Sequence, residues 1–71
     1  MQLTIVPTPL LTTLDGIPVR VWQGVTEDGV PCKVFVHRVR PDATDPVACA
    51  AFERYLKEMP PPRAVPLSVI V

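Results

Sequence analysis

The sequence has little of what sites with a specific chemistry usually require. Its 71 residues include three glycines, two cysteines and one histidine, and seven basic residues balance seven acidic ones. Three glycines do not supply a glycine-rich phosphate loop. A net charge of zero lacks the basic excess typical of nucleic-acid-binding proteins and the acidic excess of a nucleic-acid mimic. We therefore predict no cofactor.

Residues for catalysis or metal binding are also few. The soft ligand candidates are Cys32, His37 and Cys49, whereas a zinc site needs three or four convergent ligands. Cys32 and His37 are an odd number of positions apart on one predicted strand, so they point to opposite faces of the sheet. The same parity separates the thiol from a histidine base. We expect no catalytic residue, no metal ligand and no enzymatic activity.

Long apolar runs are missing as well. The N-terminal segment has no basic start and is interrupted at Pro7, so we expect no signal peptide. No apolar run approaches the roughly 20 residues that cross a bilayer, which predicts a cytoplasmic protein without a membrane partner. In that compartment the two cysteines are more typical of buried thiols than of a disulfide. A hydrophobic content of 48% predicts that residues 1–71 fold as a single small domain.

A short internal repeat organises the first half of the chain. Residues 15–22 and 28–35 each contain Asp-Gly, an apolar residue, a proline and then alternating apolar and basic or aromatic positions. Asp-Gly between alternating runs is a strong hairpin signal, because glycine adopts a positive φ at low cost. Two such turns predict a three-stranded antiparallel β-meander. The predicted strands lie near residues 10–14, 17–25 and 30–39, with residues 2–6 as a candidate extra strand.

One helix is predicted over residues 46–59. Asp45 suits its N-cap, and Pro46 suits the first helical position, where its missing N–H costs nothing. The prolines at 60–62 end it. Its apolar residues recur at helical spacing and are expected to pack on the sheet: Val47, Ala48, Ala51, Phe52, Tyr55, Leu56 and Met59. The predicted fold class is α+β, a three-stranded antiparallel meander packed on one C-terminal α-helix.

The C-terminal tail, residues 64–71, is apolar and β-branched, which predicts an extended segment. Left unpaired it would promote aggregation, so we expect it to pair as a strand. Pairing with this chain's own sheet or with a second copy is favoured over capture by a partner, although main-chain pairing serves all three. Val69, Ile70 and Val71 are therefore candidate contact residues.

The register of the second hairpin decides which side chains share a face. A two-residue turn at Asp28-Gly29 places Trp22 opposite Phe35, and a three-residue turn over residues 27–29 with a glycine bulge is the alternative. We prefer the first, because it separates the valines from a basic aromatic surface: Arg20, Trp22, Lys33, Phe35 and His37. Aromatic and arginine side chains are enriched at binding hot spots, so this surface is the candidate partner-binding site. The alternative is that its two aromatic rings form a second small core under a terminal segment.

Parts of residues 17–58 resemble short proteins of phages and prophages. The similar segments are RVWQG at 20–24, FVHRV at 35–39 and FERYLKE at 52–58. This resemblance implies an accessory role of the anti-CRISPR or anti-defence type, in which a small protein inhibits or modulates a host protein. The sequence thus predicts a non-enzymatic protein-binding module whose partner is a host or phage protein.

Two alternative functions stay open. Three strands followed by a helix resembles the arm-binding domains of phage integrases and plant AP2-type domains, which implies a nucleic-acid-binding sheet. Residues 17–40 carry four cations and two carboxylates, fewer net cations than phosphate-driven binding usually uses. The other alternative is a structural or assembly protein that forms a homodimer through its C-terminal strand.

Overall fold

The computed structural model describes residues 1–42 and 44–70. The elements are β1 (Leu3–Leu14), β2 (Ile17–Thr26), β3 (Pro31–Val36), α1 (Pro46–Glu58), β4 (Arg63–Ala64) and α2 (Leu67–Ile70). The strands form one sheet in the order β3-β2-β1-β4, with the first three antiparallel and β4 parallel to β1. The predicted α+β class and the antiparallel meander are confirmed. Val71, one of the predicted contact residues, lies outside the described residues.

β1 is one long strand where the sequence predicted two separate ones. Its ladder to β2 shifts between Pro7 and Leu11, where prolines remove N–H donors from the ladder. The Thr8 hydroxyl donates to the Val21 carbonyl oxygen at 2.6 Å and accepts the Leu10 N–H at 3.3 Å. These bonds carry the strand through the irregularity as a bulge, so residues 2–6 and 10–14 belong to the same element.

The first Asp-Gly turn is a two-residue hairpin turn. Asp15 and Gly16 have φ angles of 52° and 80°, and they connect Leu14 to Ile17, which pair across the hairpin. Two consecutive positive φ angles are the type I′ combination, whose twist suits antiparallel strands. This turn has the geometry that the sequence predicted.

The second Asp-Gly turn has a different geometry. Of residues 27–29, Gly29 alone has a positive φ, of 83°. Its N–H donates to the Thr26 carbonyl oxygen at 2.9 Å, and the Thr26 N–H donates to the Val30 carbonyl oxygen at 3.0 Å. The Thr26 hydroxyl also accepts the Val30 N–H at 3.0 Å. These bonds make Thr26 the closing residue of a three-residue turn with a glycine bulge, so the preferred two-residue turn was wrong.

The turn sets the register of β2 and β3. Trp22 pairs with Val34 and Val21 pairs with Phe35, one position away from the preferred register. A shift of one position moves every side chain of a strand to the other face. The expectation that five residues form one surface is therefore wrong: Arg20 and Trp22 lie on one face, and Lys33 and Phe35 lie on the other.

Helix α1 begins where the sequence predicted and ends one residue earlier. The Asp45 carboxylate accepts the Val47 N–H at 3.2 Å, and Pro46 occupies the first turn. The expected packing of the helix on the sheet is wrong, because no residue of α1 is buried. Val47 is 76% exposed and Tyr55 is 62% exposed. The face that meets the end of α1 carries Arg20 and Trp22 beside Val34 and Val36, whereas Val19 and Val21 lie on the opposite face.

The buried apolar side chains of the described residues are Val19 and Val21, which are 6% and 0% exposed. They alternate with Arg20 and Trp22 along β2, so they lie on the sheet face away from α1. Thr12, 6% exposed, pairs with Val19 and is buried beside it. The core is therefore small for a chain with this many apolar residues.

The tail forms a strand only where it begins. Arg63 and Ala64 pair with β1 of the same chain, and the Val65 N–H donates to the Leu11 carbonyl oxygen at 2.8 Å. The prediction of an extended segment over residues 64–71 is wrong beyond this point, because residues 67–70 form a helical turn. Pro66 precedes that turn, and its carbonyl oxygen accepts the Val69 N–H at 3.0 Å. Neither helix in the described part of the chain has the length and hydropathy that crossing a membrane requires.

Gly24 is expected to reject a side chain. A Cβ at this position would lie 3.0 Å from Cys32 Sγ and 3.2 Å from methyl carbons of Ile5 and Val34. Gly24→Ala should therefore lower the free energy of unfolding by about 1–3 kcal/mol in urea denaturation. The double variant Gly24→Ala/Cys32→Ala removes the nearest atom and should recover part of the loss. Equal stability of the wild type and Gly24→Ala would contradict this packing.

Thr12 should be more stable as valine. Its buried hydroxyl has no hydrogen-bond partner among the described residues, and an unsatisfied buried hydroxyl costs about 1–3 kcal/mol. Thr12→Val keeps the branched shape and is expected to raise the free energy of unfolding by about 1 kcal/mol. The neighbouring Thr13→Val, at an exposed position, is the control and should change little. A loss of stability in Thr12→Val would show that the hydroxyl has a partner in solution.

Candidate functional site

A cavity of about 160 Å³ lies between the end of α1 and the sheet. We call it the Trp22 pocket, and its lining residues come from β2, the end of β3, the segment that follows β3 and α1 with its C-cap: Arg20, Trp22, Val36, His37, Arg38, Val39, Leu56 and Met59. The pocket brings together Arg20, Trp22 and His37 of the predicted surface. Within residues 1–42 and 44–70, its lining includes two arginines and no carboxylate.

Arg20 connects the sheet to the segment that follows α1. Its Nη1 donates to the Thr8 carbonyl oxygen at 2.8 Å and to the Pro60 carbonyl oxygen at 3.3 Å. Thr8 lies in the β1 bulge and Pro60 follows α1, so one half-buried guanidinium links three parts of the chain. Hydrogen bonds from a charged donor are stronger than those between neutral groups. Arg20 therefore fixes the position of the end of α1 relative to the sheet.

His37 lines the pocket because β3 ends earlier than the sequence predicted. The predicted strand reaches residue 39, whereas β3 ends at Val36. The next residues face Pro18, which has no N–H to continue the ladder. Instead, His37 Nδ1 lies 2.9 Å from the Pro18 carbonyl oxygen. A carbonyl only accepts, so Nδ1 donates and Nε2 is unprotonated in the neutral ring.

Arg38 is the pocket residue that sequence reasoning missed most clearly. It is exposed, and among the described residues it has no hydrogen bond or ion pair. The sequence placed it inside a strand, and its actual position depends on Pro18, which lies on the neighbouring strand. Leu56 and Met59 had a signal, because both belong to the apolar stripe of the predicted helix. The part of that stripe that faces the sheet was not distinguishable from the rest.

Lys33 and Phe35 belong to the opposite face. Lys33 Nζ donates to Gln23 Oε1 at 2.5 Å, so the two residues form a cross-strand pair. Gln23 Nε2 in turn donates to the carbonyl oxygens of Cys32 at 3.1 Å and Gly24 at 3.2 Å. Phe35 is half-buried and pairs with the fully buried Val21. Phe35 thus extends the valine core and does not join Trp22.

The exposed side of α1 forms a second candidate surface. A shallow depression of about 410 Å³ is lined by residues at helical spacing: Pro46, Val47, Ala50, Ala51 and Arg54. We call these residues the helix face. Arg54 also lies over the Tyr55 ring, 6.0 Å from its centre, within the range of a cation–π contact. The helix face is mainly apolar and ends in one cation.

The remaining predicted candidates are not among the residues that line either surface. Val69 is exposed and Ile70 is half-buried on the α2 turn. Cys32 and Cys49 are half-buried thiols. Within residues 1–42 and 44–70, no group of three or more His, Cys, Asp or Glu side chains is placed to hold a metal ion. The chemistry that these surfaces offer is hydrogen bonding from cations, aromatic contact and apolar contact.

Comparison of the chain with protein-family models, with curated proteins and with solved structures finds no match. The functional interpretation therefore depends on the geometry of this chain. The functional interpretation is based on two surfaces, the Trp22 pocket and the helix face.

Replacement of Arg20 should destabilise the fold. Arg20→Met keeps the aliphatic stem and removes the donors to Thr8 and Pro60, which leaves two carbonyl oxygens without these bonds. The expected loss in the free energy of unfolding is about 1–3 kcal/mol. Arg38→Met removes an exposed arginine that has no hydrogen-bond or ion-pair partner among the described residues, and should change stability by less than about 0.5 kcal/mol. Equal effects of the two substitutions in urea denaturation would contradict the linking role of Arg20.

Proposed function

We propose that this chain is a non-enzymatic protein-binding module. The observation that carries the proposal is the helix face, because α1 spans 13 residues and buries none of them. A helix of this length is marginal in water, and most helices in proteins are stabilised by packing of an apolar face. A partner surface that covers the helix face would supply that packing.

The small core supports the same proposal. Burying a large aliphatic side chain contributes roughly 1.5–3 kcal/mol, and within the described residues this contribution is complete for Val19 and Val21 alone. Val47 and Tyr55 stay in water, where they contribute little. Apolar side chains grouped on one exposed helix are typical of a surface that another protein covers.

The proposal includes an accessory role, in which the chain inhibits or modulates a host protein. The resemblance of residues 17–58 to short phage and prophage proteins supports this part. In this proposal the partner is a host protein and the chain is a product of a phage or mobile element. The exposed helix face and the small core support protein binding, and the resemblance supports the inhibitory or modulating role.

The alternative functions have less support. Nucleic-acid binding would use several cations on one face, whereas the register separates Lys33 from Arg20 and Arg38. Assembly through a C-terminal strand would use an extended tail. Ala64 already pairs with β1 of the same chain, and residues 67–70 are helical.

Affinity capture with matched variants tests the proposal. The immobilised full chain is exposed to nuclease-treated lysate of the host cells as wild type, as Val47→Lys and as Ser68→Lys. Both substitutions add one positive charge at an exposed position, but Ser68 lies on α2, away from the helix face. We expect the wild type and Ser68→Lys to retain the same protein, and Val47→Lys to retain about tenfold less.

Stability measurements keep this result interpretable. Both variants should unfold within about 0.5 kcal/mol of the wild type, because neither position is buried. Equal recovery of the protein by all three chains would contradict docking on the helix face. Recovery of no protein above the level of blank resin would contradict a binding module.

A further inference from the structure

We propose that the Trp22 pocket binds an acidic side chain of a partner protein together with an apolar side chain beside it. This inference rests on the proposed protein-binding function and specifies the chemistry of the segment that is bound. The helix face provides apolar contact, and the pocket provides recognition of charge.

The size of the pocket selects a side chain over a larger ligand. Sites for drug-sized molecules have volumes of roughly 300–1,000 Å³, and this open pocket has a volume of about 160 Å³. The volume suits one or two side chains from an extended segment. A nucleotide, with its base, sugar and phosphate, exceeds it.

The charge of the pocket selects a carboxylate. Arg20 and Arg38 bring two guanidinium groups to the lining, and none of the described residues that line the pocket is acidic. Nη1 of Arg20 bonds two backbone carbonyls, and no other nitrogen of that guanidinium has a hydrogen-bond partner among the described residues. A guanidinium edge presents parallel N–H groups that match the two oxygens of a carboxylate.

The apolar part of the pocket favours an apolar residue next to the acidic residue of the bound segment. Half of the lining residues have aliphatic or thioether side chains, and they line the same pocket as the indole of Trp22: Val36, Val39, Leu56 and Met59. An indole supplies a large contact area at low entropic cost, and methionine adapts to varied shapes. An acidic residue next to leucine or phenylalanine satisfies both parts of the pocket.

The pocket is largely preorganised for this ligand. Arg20 is fixed by two carbonyl oxygens, and His37 is fixed by its bond to the Pro18 carbonyl oxygen. Ordering side chains on binding costs about 0.5–1.5 kcal/mol each, and that cost is already met for these two residues. Arg38 is the lining cation without a partner in the described chain, so it is the one that a ligand would order.

Trp22 is the chain's one tryptophan, so its fluorescence and indole N–H resonance report directly on the pocket. The test titrates the ¹⁵N-labelled full chain with the end-blocked peptide Gly-Gly-Glu-Phe-Gly-Gly. We expect saturable changes in the Trp22 indole N–H and in the amides of residues 36–39. Replacing the peptide's glutamate by glutamine should weaken binding about tenfold, and replacing its phenylalanine by glycine should weaken it by a similar factor.

Substitutions in the chain complete the test. Arg38→Met should weaken binding of the glutamate peptide about tenfold, whereas Arg63→Met, which removes an exposed arginine outside the pocket, should leave it unchanged. Arg38→Glu should reverse the preference and favour a peptide with lysine in place of glutamate. Equal affinity of the glutamate and glutamine peptides would overturn the proposal. So would binding of a single-stranded oligonucleotide that shifts the same resonances at lower concentration than the peptide.

The peptide experiments and the affinity capture can fail independently, so the pocket proposal and the protein-binding proposal are tested separately. A partner that is captured through the helix face but binds Arg38→Met and the wild type equally would support the module and overturn the pocket. Peptide binding in the pocket without any captured partner would support the pocket chemistry and contradict the proposed role of the helix face.

Discussion

Closure of the second hairpin by Thr26 is the constraint on which the rest of the structure depends. The Thr26 hydroxyl accepts the Val30 N–H, and Gly29 takes the positive φ that a glycine bulge requires. Together they add one residue to the turn and fix the pairing of β2 with β3. Every side chain of β3 is assigned to its face by this one closure. The bulge thus decides which side chains of β3 lie on the face that meets α1 and which lie beside Val19 and Val21.

The side of the sheet on which α1 lies accounts for both the small core and the pocket. Val19 and Val21 face away from α1, so the helix meets the face that carries Arg20 and Trp22 beside Val34 and Val36. Such a surface is held by a few directional bonds, chiefly those of Arg20 to Thr8 and Pro60. The same poor fit between α1 and this face of the sheet leaves most of α1 unburied and opens the space beside Trp22. Exposure of the helix and presence of the pocket therefore have a common cause.

The sequence predicts the parts of this fold that local chemistry determines. Asp15-Gly16 gives a type I′ turn, and Asp45 with Pro46 starts the helix, because each depends on a few adjacent residues. The second Asp-Gly is compatible with two turn lengths, and the side chain that selects one lies outside the repeat. The lining of the Trp22 pocket is harder to predict from the sequence, because the position of Arg38 depends on Pro18 of the neighbouring strand. In the tail, β-branched residues indicated a strand, whereas residues 67–70 form a helical turn.

The bulge also has a consequence for how such chains diverge. Loss of one residue from the turn, such as Glu27, would convert it to the two-residue type of the first hairpin without altering any strand residue. Phe35 would then move beside Trp22, and Val34 would move to the valine face. A deletion, which usually perturbs a loop alone, would here exchange the recognition surface for a different one. Two homologous chains aligned without regard to this turn would equate residues that occupy opposite environments.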